Sequence, residues 1–349
     1  MNSVKDYRQE VLTLKKIIKR LTETYGPSGH EKNITELIKN EIESLVDEVK
    51  IDKMGNMIAF KSGNSDKKVM LAAHMDEIGL IVTHIDENGF IRFSNVGGVS
   101  PYVLLGERVI FGNGVEGVID KEKLDSIKEL KLSKMYIDIG LSNEEEVKEK
   151  IQIGDVAVYK REFSDLDKRL VAKSLDNRVG CAILIETIKG LKEVANDTYF
   201  VFTVQEEVGI RGAQTSAFGI APDFGIAVDV TATGDTPEAK TMAVSLGEGP
   251  AIKIKDRSLI THPKVKELMV KVAEREEIPY QFEVLEFGGT DAGSIHLTRG
   301  GVPTGVLSIP ARYIHTPSEM VDCGDVEHGV KLLSAILQEE VDMYIAEKN

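Results

Sequence analysis

At 349 residues the chain is long enough for a large core divided between two domains. A formal net charge of −14, with no long run of Lys or Arg, argues against nucleic acid or anionic membrane as a partner, since both would repel it. Cys181 and Cys323 lie far apart and outside any CxxC arrangement, no apolar stretch is long enough for a bilayer, and the first residues lack a secretory apolar core. Reduced thiols and a cytoplasmic location are therefore expected.

Leu14, Ile17, Ile18 and Leu21 recur at helical spacing and predict a first helix. Ser28 and Glu31 predict a capping box for a second, with Ile34, Leu37, Ile38 and Ile42 on its buried face. A hairpin is expected around Gly55-Asn56, followed by an apolar strand over 69–73 that leads into His74-Met75-Asp76-Glu77. The texture then changes. Between 78 and 168 short apolar runs alternate with Asn88-Gly89, Gly97-Gly98, Gly112-Asn113-Gly114 and Gly154-Asp155, a density of turn signals that predicts an all-β module with one short helix over 144–150. No helix follows Gly112-Asn113-Gly114, so it reads as a hairpin turn and not as a phosphate loop.

Alternation of helices and apolar strands resumes after Ala172. Asp176-Asn177-Arg178 precedes the helical pattern Val179, Ala182, Ile183, Ile185, within which Cys181 is read as packing. Strands are predicted at 199–202, leading into Gln205-Glu206-Glu207, at 224–228, leading into Asp229, and at 305–309, leading into Tyr313-Ile314-His315. Val265, Leu268, Met269 and Val272 mark one further helix; Val326, Val330, Leu333, Leu337, Val341 and Tyr344 mark the last. The expected organisation is an α/β domain built from 1–77 and 169–349, interrupted by a small β domain at 78–168.

Chemistry concentrates at the ends of those strands, where ligands of open α/β sheets gather. Taken singly, each group has a plain structural reading: His74 or His315 satisfied by hydrogen bonds, Asp176 as a helix N-cap, Asp229 in a turn, Glu206-Glu207 as a solvated strand end. Two His and several carboxylates arriving at one edge from five segments instead suit a metal centre with nitrogen and oxygen ligands. In extended backbone Glu206 and Glu207 point to opposite faces and should do different work, one at a metal and one with protons.

The motifs resemble those of the M42 metallo-aminopeptidases, which include glutamyl aminopeptidases and the tetrahedral (TET) peptidases. The resemblance runs nearly end to end. It rests on Pro27-Ser28-Gly29-x-Glu31, Asp52-x-x-Gly55-Asn56, His74-Met75-Asp76-Glu77-Ile78-Gly79 and Asp176-Asn177-Arg178-x-Gly180-Cys181. It continues in Gln205-Glu206-Glu207-Val208-Gly209-x-Arg211-Gly212-Ala213, Asp229-Val230, Gly288-Gly289-Thr290-Asp291-Ala292 and Arg312-Tyr313-x-His315-x-Pro317. It implies a mixed sheet flanked by helices, of metallo-exopeptidase type, with an inserted PDZ-like or small-barrel module that pairs protomers. Dimers would assemble into dodecamers.

The resemblance also implies two divalent metal ions per subunit, with His74 and Asp229 on one, Glu207 and His315 on the other, and Asp176 between them. The donor set suits zinc or cobalt, and manganese is compatible. Glu206 would be the catalytic base, with Asp76 two residues beyond His74 to hold the ring's other nitrogen. The implied substrates are peptides with a free N-terminus. His296 matches no ligand position and is expected to be structural. Three other readings compete: an endo-acting glycoside hydrolase, a related metallo-deacylase, and a binding protein that kept the fold without the chemistry. The absence of Trp and the 6% aromatic content make a poor sugar-stacking groove, and no matched ligand is missing.

Overall fold

The computed structural model describes residues 2–345. Among these, eleven strands form one mixed sheet. Its centre is parallel: Asn196–Thr203, Ser65–His74, Phe224–Thr231 and Thr304–Arg312 lie side by side in that order. Met57–Lys61 and then Glu48–Ile51 extend one side antiparallel, joined by the hairpin at Gly55-Asn56. Glu319–Asp322, Arg169–Ala172 and Ser164–Leu166 extend the other side. Ala251–Lys255 and Gln281–Val284 branch from Thr304–Arg312.

Phe224–Thr231 is buried along its whole length, as a parallel strand covered on both faces should be. Strand alternation divides the core. Val69, Leu71 and Ala73 face the cluster that includes Leu14, Ile38, Val179 and Leu333, whereas Met70 and Ala72 face Ala213, Ala217 and Ile295. Asn2–Glu23, Lys32–Ile42, Leu175–Gly190 and Cys323–Ile336 therefore cover one face, and Arg211–Ile220 the other. No helix among the described residues is long and apolar enough to cross a membrane.

Gly79–Ile85, Ile91–Val96, Met135–Asp138, Glu116–Lys121, Arg108–Phe111 and Val156–Tyr159 close into a barrel with a core of its own, including Leu80, Val109, Ile119 and Ile137. Its hairpins are tight because Gly89 and Gly114 take φ of +85° and +86°, a region that costs glycine little. Leu80 pairs with Ala157 and Ile81 with Val156, so the chain enters and leaves the barrel through adjacent strands. The helix within it is Glu144–Lys148, with Asn143 accepting from the Glu146 amide at 2.9 Å.

The expected Ser28–Glu31 capping box does not form. Ser28 donates its hydroxyl to Asp76 at 2.6 Å, and Glu31 accepts from the amides of Gly29 at 2.8 Å and Gln205 at 3.2 Å. Ser28 is recruited by Asp76, and Glu31 serves the nearby Gly29 amide together with that of distant Gln205, so these partners compete successfully with a local cap.

Candidate metal centre

Parallel pairing brings the chemistry to one edge. Thr203 is level with His74, and Ala227 with Ala72, so the carboxyl ends of these strands, which carry His74 and Asp229, meet at one edge with the segment that follows Thr203. Asp176 arrives from the start of Leu175–Gly190, where Asp176 and Asn177 have non-helical torsions and regular helix begins only after them. His315 lies just beyond Thr304–Arg312 at a φ of +63°, next but one to Tyr313 at +62°. Such left-handed positions in non-glycine residues persist only where surrounding structure over-determines them.

His74, Asp176 and Asp229 offer donor atoms that all lie within 4.8 Å of one another, and so do Asp176, Glu207 and His315. Asp176 belongs to both groups. Its Oδ1 is 3.1 Å from His74 Nε2 and its Oδ2 3.3 Å from His315 Nε2. Asp229 Oδ1 is 3.7 Å from His74 Nε2, and Glu207 Oε2 is 3.1 Å from His315 Nε2. Glu206 belongs to neither group, although its Oε2 reaches within 3.8 Å of His74 Nε2.

The extended backbone expected at Glu206-Glu207 is absent. The strand ends at Thr203, Gln205 turns the chain at a φ of +54°, and the Gly209 and Ile210 amides donate back to the Glu206 carbonyl. A turn, not strand alternation, therefore brings both carboxylates to the same cavity. They still differ in partner: Glu207 lies against His315, and Glu206 belongs to neither donor group.

Asp76 is buried beside His74, but its carboxylate serves mainly the turn. It accepts from the Glu206 amide at 3.0 Å, the Glu207 amide at 3.2 Å and the Ser28 hydroxyl. His74 Nδ1 faces the Asp76 carbonyl at 3.3 Å, with Asp76 Oδ1 at 3.5 Å.

Electrostatics marks the cluster as hungry for positive charge. Burial, reinforced by the charges of Asp229, Glu207 and Asp291 and opposed by His74, pushes Glu206 well above the carboxylate range. Burial does the same to Asp229, with His74 opposing and Asp176 adding to it. Burial alone would lower His315, but its hydrogen bonds to Asp176 and Glu207 push it up to about 12. Asp176 is held far down despite burial, because both imidazoles bond to it. Packing carboxylates this closely away from water is costly unless cations neutralise them. Imidazole nitrogens and carboxylate oxygens are the donors that zinc, cobalt or manganese accept, so the residues fit such ions.

The cavity measures about 710 Å³ and is walled beyond the donors by Ile210, Thr231, Leu285, Phe287, Arg312 and Tyr313. The barrel reaches it at Gly98, where a Cβ would stand 2.5 Å from His315 Nδ1, so any larger residue would push that ring aside. Glu319 escaped the sequence reading. It is buried, and its two oxygens accept from the Asp176 amide at 2.9 Å and the His315 amide at 2.8 Å, tying the two donor groups together. Its only local signal is an acid opening a short apolar strand. Glu77, inside the His74 motif, is instead ion-paired to Lys173 at 2.6 Å and approached by Arg178. His296 Nδ1 lies 2.8 Å from the Ala292 carbonyl, outside both donor groups.

A family model for the M42 glutamyl aminopeptidases matches residues 55–332. An Acetivibrio thermocellus protein provisionally named an aminopeptidase is 55% identical over 318 residues, covering 91% of this chain and 96% of that one. A Desulfurococcus kamchatkensis aminopeptidase superposes with a TM-score of 0.93 at 40% identity, covering 96% of this chain and 97% of its own. The Pyrococcus horikoshii TET1 peptidase, which can assemble into a tetrahedron or a large octahedral shell, does so with a TM-score of 0.85 at 35% identity, covering 94% and 100%.

Proposed function

The chain belongs to the M42 glutamyl aminopeptidase family of peptide hydrolases, and on that footing we propose a dinuclear metal-dependent aminopeptidase with Glu206 as its general base. One observation carries the reading: two donor groups share Asp176 while an adjacent carboxylate, Glu206, stays outside both. His74 and Asp229 would hold one divalent ion, His315 and Glu207 the other, and Asp176 both. Zinc or cobalt suits this set best, and manganese is compatible. Such a pair supplies Lewis acidity and lowers the pKa of a water.

The protein's own part is to place and move protons. Glu206 takes the proton from the attacking water and returns it to the departing amine. Asp76 keeps Glu206 and Glu207 in place through their amides, and Glu319 does so for Asp176 and His315. The substrate's free α-amine would be held by the site's negative charge or by direct coordination, which would select the N-terminal residue. A free peptide should therefore be shortened one residue at a time, and the same peptide acetylated at its N-terminus should stay intact, as read by mass spectrometry. Equal cleavage of both would instead indicate an endopeptidase.

We assign 1–77 and 169–349, with the Ser164–Leu166 strand that pairs into the same sheet, to catalysis, and the barrel within 78–168 to assembly. The barrel would pair protomers and the dimers would build a dodecamer; the shells formed by the P. horikoshii relative support this reading. Because the chain enters and leaves the barrel through adjacent strands, a short linker can replace residues 80–157 without stretching the neck. That deletion should lower the particle mass measured by light scattering. An unchanged mass would place the assembly contacts on the α/β domain.

A further inference from the structure

The segment that carries Glu206 and Glu207 lies beyond the sheet ladder, and four successive amides in it are held by side chains from elsewhere. Val204 N–H donates to Asn56 Oδ1 at 3.1 Å and Gln205 N–H to Glu31 Oε1 at 3.2 Å. The Glu206 and Glu207 amides donate to the two oxygens of Asp76. Glu31 is buried, and the same Oε1 is fixed by the Gly29 amide at 2.8 Å. The amide it holds belongs to the one residue of the four with a left-handed φ, Gln205 at +54°, directly before Glu206.

We propose that Glu31 is a positioning residue for Glu206, acting through the main chain of Gln205. This rests on the reading of Glu206 as general base. Unless that amide is held, the turn can relax toward ordinary torsions and swing the Glu206 carboxylate away from its proton path. Misplacement of a reacting group by about 1 Å can cost on the order of 10²-fold in rate. What matters at Glu31 is an acceptor oxygen in a fixed place. Burial pushes its carboxyl up to about 7 against the two amide donors, yet Oε1 accepts whether or not the group is ionised. A glutamine oxygen should therefore serve. On its other side Glu31 borders a groove of about 710 Å³ lined also by Tyr25, His30, Met54 and Asn113. Water can enter there when the side chain is shortened, so Glu31→Ala should fold, but mobile water does not fix the amide.

The test uses the full-length, metal-loaded enzyme. Glu31→Ala should lower kcat by about tenfold to hundredfold with KM and metal content nearly unchanged. Glu31→Gln should recover to within about threefold of wild type. In a Glu206→Gln background the same Ala change should alter the residual rate by less than about twofold, because both changes disable one device. Amide hydrogen exchange over 204–207 should quicken in Glu31→Ala and not in Glu31→Gln. A Glu31→Ala kcat close to wild type, an effect confined to KM, or full additivity with Glu206→Gln would overturn the proposal. If Glu206→Gln itself turns over normally, the functional reading fails and this inference with it. If only Glu31→Ala is normal, the functional reading survives alone.

Discussion

Asp176→Ala should abolish turnover and strip both metal ions, making it the most damaging of the ligand substitutions. Its carboxylate belongs to both donor groups and lies within hydrogen-bond reach of both imidazoles, 3.1 Å from His74 and 3.3 Å from His315. His74→Ala or His315→Ala removes a donor from one group and leaves the other intact. Without Asp176 each group falls from three donors to two, and Glu206, Glu207 and Asp229 are left facing one another with less to bind cations. Elemental analysis after desalting should find about two ions per wild-type chain, the number expected for a two-metal hydrolase. The Asp176→Ala chain should retain almost none. Chelation should likewise silence the wild type, and zinc or cobalt should restore it. Full activity in thoroughly metal-free enzyme would sink the assignment.

Glu206→Gln should keep its metal and its substrate while turnover falls by roughly 10²–10⁴, the usual contribution of a positioned acid–base group. The amide matches the carboxylate in shape, and the turn that carries it is held through main-chain amides that the substitution does not touch. What disappears is the proton acceptor. Glu207→Gln provides the contrast, since Glu207 Oε2 lies 3.1 Å from His315 Nε2 within a donor group. That variant should lose metal before it loses chemistry. If Glu206→Gln sheds an ion and Glu207→Gln retains both, the two roles are reversed.

A reading confined to local pattern was bound to miss part of this turn. Glu206 and Glu207 look like a strand end because Tyr199 to Phe202 is an apolar run, and strand geometry would separate their faces. Gln205 breaks that geometry with a left-handed torsion supported by Glu31, 174 residues earlier in the chain. The capping box failed for a related reason. Ser28 and Glu31 have the right spacing, but Asp76 and Gln205 offer them partners that local sequence cannot reveal. Glu319 was invisible because an acid opening a strand has no distinctive pattern, and its role exists only where two separate segments present amides to it.

What the chain determined by itself is what depends on periodicity and on the chemistry of single positions. Apolar runs ending in His74, Asp229 and the approach to His315 specify buried parallel strands, because only both-face burial favours unbroken apolar sequence. Dense glycine turns specify a separate small β unit, since positive φ is cheap for glycine alone. Tertiary structure alone decided which donors share Asp176, how Gln205 turns Glu206 and Glu207 into one cavity, and how Glu31, Asp76 and Glu319 hold them there. Most of those contacts join segments far apart in the chain, set by strand register and by the competition of buried amides for acceptors. A polar group removed from water must find a partner wherever the fold places one, and sequence spacing carries no record of that choice.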